Sequence, residues 1–185
     1  NGLRTVCGSH IPVAITFRED PSGTLTLKEY WKPRDGSYYA QDICEKFPAH
    51  IAEDGMDSQK FILQQMQECY AQAVAFTGLD TNQVIGTLIE TICSSPAQSS
   101  NPGDYIKEHF IEYRELTYYG RYTLKYCFAE FLKGGQTDLC GHIMRAVIDD
   151  LAPEAQLKLY AETGQEYFDA WKDAAIAIEQ QHDME

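Results

Sequence analysis

Residues Asp104 to Lys133 read D-Y-I-K-E-H-F-I-E-Y-R-E-L-T-Y-Y-G-R-Y-T-L-K-Y-C-F-A-E-F-L-K, and Gly134-Gly135 follows. Apolar side chains recur at three- and four-residue steps: Ile106, Phe110, Tyr113, Leu116 or Thr117, Gly120, Leu124, Cys127 and Phe131. That spacing is the signature of a helix with one buried face. Tyr119, Tyr122 and Tyr126 form a second stripe. Two stripes predict a helix covered on more than one side. The stretch therefore reads as one long central helix. Gly120 within it, costing about 1 kcal/mol against Ala, marks the close approach of another element.

Working outward, the flanking segments are also helical. Ser37 is placed to cap a short helix through Phe47, with Pro48 beyond it, and Asp54 to Asp57 read as a polar turn. Ser58 opens a helix with Ile62, Met66, Cys69, Ala73 and Thr77 on one face, ended by Gly78. Asp80 or Thr81 caps the next, whose apolar face is Val84, Ile85, Leu88, Ile89 and Ile92. Ser94 to Gly103, S-S-P-A-Q-S-S-N-P-G, is the clearest loop and is expected to be mobile. Thr137 or Asp138 caps a helix to about Leu151, and Pro153 suits the first turn of a last helix carrying Leu157, Tyr160, Gly164, Phe168, Trp171, Ala175 and Ile178.

The N-terminal part differs. Ile11 to Glu19 is rich in β-branched and aromatic residues and ends at the turn Asp20-Pro21-Ser22-Gly23. Thr24 to Trp31 follows, with Leu25, Leu27 and Glu29 on one face by period two. This predicts a β-hairpin. A lone hairpin is marginal in water, so it must pack on helices or on further strands. The expected fold is mainly α (α+β): five or six helices around the long one, with an N-terminal hairpin. The simplest organisation is a single domain over 1–185, with a hairpin region at 1–36 and a helical region at 37–185; a split at Ser94–Gly103 is the alternative.

Composition narrows the function classes. Of 185 residues, 28 are acidic and 15 basic, a net charge of −13. Such a field repels polyanions, so no nucleic acid is expected as a partner. No apolar run reaches the roughly 18–20 residues of a membrane span, so direct membrane insertion is not expected. From Arg145 to Glu185 there are ten acids against three bases, a solvated helix face or a docking surface for a basic partner. The six cysteines, Cys7, Cys44, Cys69, Cys93, Cys127 and Cys140, include no C-x-x-C pair. They read as isolated, mostly buried thiols rather than bridges or metal ligands.

No catalytic motif stands out. His10, His50, His109, His142 and His182 form no H-E-x-x-H, and there is no G-x-S-x-G, P-loop or G-x-G-x-x-G. Cys140 and His142 are two apart, which on a helix points them away from each other. Asp149-Asp150 and Glu112 with Glu115 are paired acids, read as solvent-facing. No metal and no cofactor is expected, and a non-enzymatic role is favoured. The sharpest local feature is a basic stripe on the predicted long helix, Arg114, Tyr118, Arg121 and Lys125, suited to clamping a carboxylate or phosphate; the alternative is pairing with acids of the same domain, such as Glu115 or those of the acidic C-terminal helix. The helix start after Gly134-Gly135-Gln136-Thr137 offers free N–H groups to the same kind of anion. The four residues of the stripe together with Gln136, Thr137 and His142 are the seven-residue candidate ligand-binding set. Tyr30, Trp31, Tyr38 and Tyr39 around the turn K-P-R-D-G are either a recognition surface or a cover for the core.

Four strings carry a resemblance: G-S-H-I-P-V-A-I-T-F (8–17), L-K-E-Y-W-K-P-R-D-G-S-Y-Y-A-Q-D-I-C-E-K-F-P (27–48), E-Y-R-E-L-T-Y-Y-G-R-Y-T-L-K-Y-C-F-A-E-F (112–131) and G-G-Q-T-D-L-C-G-H-I-M (134–144). They resemble an uncharacterised domain of Firmicutes, often gut clostridia, found in proteins labelled BlaR/MecR-type membrane metallopeptidases and in related hypothetical proteins. The resemblance implies a sensor-like or accessory domain attached to an upstream anchor, extracytoplasmic and either membrane-anchored or secreted, with a cytoplasmic location as the alternative. The implied role is regulatory: binding a small anionic ligand or a protein partner. The peptidase zinc motif is absent, and no Ser is followed three residues later by Lys, so β-lactam acylation is not expected. The alternatives are a hydrolase-like enzyme with a site around the long helix, and a structural or oligomerisation module.

Overall fold

The computed structural model describes residues 2–3, 11–96, 98–153 and 160–182, without the side chains of 58 and 174–182. It is mainly α with an antiparallel N-terminal hairpin, as the sequence predicts. The chain forms two compact units, residues 4–62 and residues 1–3 with 63–185. The division falls between Ile62 and Leu63. It coincides neither with the end of the hairpin region at residue 36 nor with the Ser94–Gly103 loop.

In the smaller unit, β1 (Ala14–Glu19) pairs with β2 (Leu25–Trp31). Asp20 holds the turn, its Oδ1 accepting from the N–H groups of Ser22 and Thr24 at 2.8 and 3.0 Å. A register shift between Thr16 and Phe17 inserts Lys28 as an extra residue. The bulge inverts the expected face of Glu29. It now stands opposite Thr16, while Ile15–Tyr30, Phe17–Leu27 and Glu19–Leu25 share the other face. Asp35, rather than Ser37, caps the first helical turn, through Gly36 N–H at 2.7 Å. Helices α1 (Tyr39–Lys46) and α2 (Ala49–Met56) follow; the second was not predicted.

In the larger unit come α3 (Ile62–Thr77), α4 (Thr81–Ser94), α5 (Pro102–Glu108), α6 (Phe110–Tyr119), α7 (Arg121–Lys133), α8 (Leu139–Leu151) and α9 (Gly164–His182). Asp80 and Asp138 cap α4 and α8 through the N–H groups of Gln83 and Gly141. The last helix begins at Gly164, and Tyr160 before it is exposed; of the expected earlier start only Pro153, in a single 3-10 position, is described, while Leu157 and the side chains of Ala175 and Ile178 lie outside the described residues. The described residues between α4 and α5 form the expected loop, narrowed by the two helix ends and tied down by hydrogen bonds. In its described part Ser95 Oγ meets His109 Nε2 at 2.8 Å, and Ser99 Oγ donates to Asp104 at 2.6 Å. Ser99 also accepts, at its backbone oxygen, from Tyr105 OH at 3.0 Å.

The predicted long central helix is a correction. Residues 102–133 form three helices, broken at His109 and at Gly120. Gly120 has φ +51° and ψ −114°, a conformation that glycine adopts readily and L side chains do not. Thr123, fully buried, seals the break by donating to Leu116 O at 2.7 Å. The break resets the helical phase, so Tyr113, Leu116 and Tyr119 point inward before it, and Thr123, Cys127 and Phe131 after it. Phe110, expected inside, is exposed. The centre is instead α4, against which α5, α6, α7 and α8 pack. Its Ile85, Ile89 and Ile92 meet Leu116, Cys127, Ile143 and Val147 in one core cluster. Burial of this order stabilises by about 1.5–3 kcal/mol per large aliphatic side chain. Phe131 stacks on Phe168 of α9 at 4.9 Å.

The cysteines also depart from expectation. Cys93 at the end of α4 is disulfide-bonded to Cys140 at the start of α8, with Cα atoms 6.0 Å apart. Cys44 and Cys69 are exposed free thiols, not core residues, and Cys127 is buried, its thiol pushed up to about 12 by desolvation. Cys7 lies outside the described residues.

Two outcomes are expected. Gly120→Ala requires a left-handed alanine whose Cβ meets Gln67 at 3.1 Å; equilibrium unfolding in urea should show a loss of about 1–3 kcal/mol. The Cys93–Cys140 bond spans 47 residues. Replacing both cysteines by serine should remove about 2–4 kcal/mol, and denatured unreduced protein should titrate two fewer thiols than reduced protein; equal thiol counts would refute the bond.

Candidate functional site

The seven candidate residues do not form one site. The stripe of Arg114, Tyr118, Arg121 and Lys125 assumed a continuous helix, and Gly120 interrupts it. Arg114 and Tyr118 remain together on α6, the guanidinium 5.9 Å from the Tyr118 ring centroid and 5.3 Å from that of Phe110. Tyr118 packs at 5.5 Å on Tyr70. Arg121 opens α7, lies over the Tyr122 ring at 5.1 Å and donates to its hydroxyl at 3.3 Å. Neither arginine forms an ion pair among the described residues, so the alternative of pairing with Glu115 is not seen either. Exposed Lys125 stands one turn further on. Arg121 borders a depression with Gln64, Gln67, Glu68 and Tyr119.

The glycine turn is already satisfied from within. Gln136 N–H donates to Gln165 Oε1 at 3.2 Å, and Gln136 O accepts from Gln165 N–H at 3.0 Å. Thr137 N–H turns back to Gly135 O at 2.9 Å. A Cβ on Gly164 would stand 2.2 Å from Gly141 O, so the two helix starts meet backbone to backbone. No N–H of Gln136 or Thr137 is left for an anion, and half-buried His142 follows on α8 with its N–H directed to Asp138 O. The acids Asp149 and Asp150 are structural acceptors. Tyr167 OH donates to Asp149 at 2.8 Å, and Tyr113 OH to Asp150 at 2.7 Å. Burial and that carboxylate push the Tyr113 phenol well up. Desolvation, with Glu112 nearby, raises Glu115. Among the described residues no three metal-ligating side chains gather, and no helix there is long and apolar enough to cross a membrane.

The constellation with a formed concavity is in the smaller unit, at K-P-R-D-G. Arg34 and Asp42 lock this turn. The buried Asp42 carboxylate accepts from Arg34 N–H at 2.8 Å, from Nε at 2.9 Å and from Nη2 at 2.5 Å. This two-pronged grip is the strong form of a charge-assisted bond. The Arg34 side chain and backbone N–H hold the Asp42 carboxyl down at about 2, below the usual carboxylate range. Tyr38 lies under the guanidinium at 4.3 Å. The Arg34 Nη1 donors make no hydrogen bond among the described residues, and Lys32 makes no ion pair there.

Two adjoining depressions share Lys32 and Arg34. One, of about 420 Å³, continues along Trp31, Asp42, Glu45 and Lys46. The other, of about 790 Å³, is floored by Ile11, Pro33 and Tyr39, with Asp35 and Gly36 at its edge. Trp31 is held edge-on against Phe47 at 5.5 Å, with the Lys46 ammonium 5.6 Å from its ring. The aromatic cluster thus divides. Trp31 covers the small core, Tyr39 floors a cavity, and Tyr30 and Tyr38 are exposed. Sequence reasoning named the aromatics but missed Lys32, Arg34 and Asp42, because a pair eight residues apart across a turn follows no helical or strand period.

Since Asp42 is held below its ordinary value of about 3.9, its contribution to stability is fully present above that value. It is lost as pH falls through about 2. Acid titration followed by Trp31 fluorescence, in a Trp171→Phe background, should show a transition in that window that Asp42→Asn abolishes. An unchanged acid limb in Asp42→Asn would count against the lock. No family model, curated protein or solved structure matches the chain, and the geometry of this turn is what speaks for its function.

Proposed function

We propose that this chain is a non-enzymatic binding module that takes a small carboxylate with an apolar body in the cavity above Ile11, Pro33 and Tyr39. The observation that carries this reading is an apolar floor beside donors that find no partner among the described residues. Lys32 and the Nη1 of Arg34 stand beside a concavity of about 790 Å³, within the usual 300–1,000 Å³ of small-molecule sites. Asp42 fixes the guanidinium through Nε and Nη2 and does not engage Nη1. Recognition then costs little ordering, because the turn is already in place. The anion site expected on the long helix moves to this turn.

The wider setting is that of the resembled domain: an extracytoplasmic sensor or accessory part of a BlaR-like regulatory protein. The Cys93–Cys140 bond supports a place outside the reducing cytosol, where such bonds persist. A hydrolase-like site around the long helix loses the continuous helix on which it was drawn.

Calorimetry and Trp31 fluorescence test the reading with N-acetylphenylalanine and its amide as probes. The carboxylate should bind at least about tenfold more tightly than the amide, a difference of about 1.4 kcal/mol. Lys32→Ala should remove that preference while leaving thermal unfolding unchanged, since Lys32 is exposed and makes no ion pair among the described residues. Equal binding of acid and amide, or binding of neither, would sink the proposal.

A further inference from the structure

The hairpin presents the wrong side to solvent for a self-contained unit. The face directed at α1 carries Thr16, Glu29 and Trp31. Glu29 pairs with Lys46 at 2.9 Å, and Trp31 with Phe47. The opposite face carries Ile15, Phe17, Leu25, Leu27 and Tyr30, which are 48%, 53%, 62%, 63% and 59% exposed. Cross-strand pairing groups these five into one patch. At roughly half exposure each, they offer on the order of 600 Å² of mostly apolar surface. That is at the upper end for a monomer's largest apolar patch, and near the roughly 800 Å² that one partner gives a standard interface.

We propose that this face is a dimer interface, and that its occupant is the same face of a second copy of the chain. Three features favour a copy. The area matches one half of a standard interface. The charge distribution leaves few other places for self-association: residues 63–185 hold 19 acids against eight bases, so contact through them is repulsive. The hairpin is close to neutral, with Arg18 and Lys28 against Glu19, Asp20 and Glu29. Finally, the apolar patch has Glu19 on its face and Lys28 at the bulge, one charge of each sign. A two-fold partner presents the same patch in reverse, as isologous contacts require, and meets no uniform like charge. Burying the outward face also supplies the second packed side that a two-stranded hairpin lacks alone.

Sedimentation of the full chain, from about 1 to 500 μM, tests this, with exposed Cys44 and Cys69 first alkylated to exclude bridging between chains. The expected result is reversible association to twice the 21.0 kDa chain mass. It should strengthen with added salt, because salt screens the repulsion of the acidic bodies while apolar burial persists. Leu27→Glu, at an exposed position, should raise the dissociation constant at least about tenfold, a ΔΔG of about 1.4 kcal/mol, with an unchanged circular dichroism spectrum. A single 21.0 kDa species throughout would overturn the proposal. So would a dimer indifferent to Leu27→Glu, or one that dissociates as salt rises, because each places the contact elsewhere or gives it another cause.

Discussion

Between Tyr119 and Arg121 the backbone of the larger unit passes through one left-handed residue, and that step sets Thr123, Cys127 and Phe131 facing inward beyond Tyr113, Leu116 and Tyr119. A continuous helix over 102–133 would be about 48 Å long and could touch α4 over only part of its length. Broken at His109 and Gly120, the same residues become three shorter rods that all reach α4. The Thr123 hydroxyl, donating to Leu116 O, replaces a ladder bond that the break removes. The fully buried threonine is thus a repair of the backbone rather than a misplaced polar residue.

This explains which parts of the fold were legible. The ends of α3, α4 and α8 were readable because Gly78, Asp80 and Asp138 act locally through backbone conformation and capping. The interior of 104–133 was not. Its apolar spacing is compatible with an unbroken helix, and nothing in the string says whether a mid-sequence glycine is tolerated within a helix or ends one. That choice is made by Gln67 from α3, which packs on Gly120 and donates to Thr117 O at 3.0 Å. The hairpin shows the same limit. Its strands follow from period-two patterning, but one bulged residue moved Glu29 across the sheet.

The candidate site was less visible than the fold for a related reason. Arg114, Tyr118, Arg121 and Lys125 were chosen by helical periodicity, and they stood or fell with the helix. Lys32, Arg34 and Asp42 have no periodic relation; what joins them is a turn that a buried carboxylate closes on itself. The cysteines are a parallel case. Cys93 and Cys140 lie far apart in the chain and meet only because α4 and α8 pack side by side.

That covalent tie gives the larger unit a property its helices alone would lack. Every peptide bond from α5 through α7 lies inside the ring closed by Cys93 and Cys140. A protease that cuts once within this ring, at exposed Ser100 for instance, leaves both pieces joined. The nicked molecule keeps its mass until a reductant arrives, and its helices stay beside the partners they were folded against.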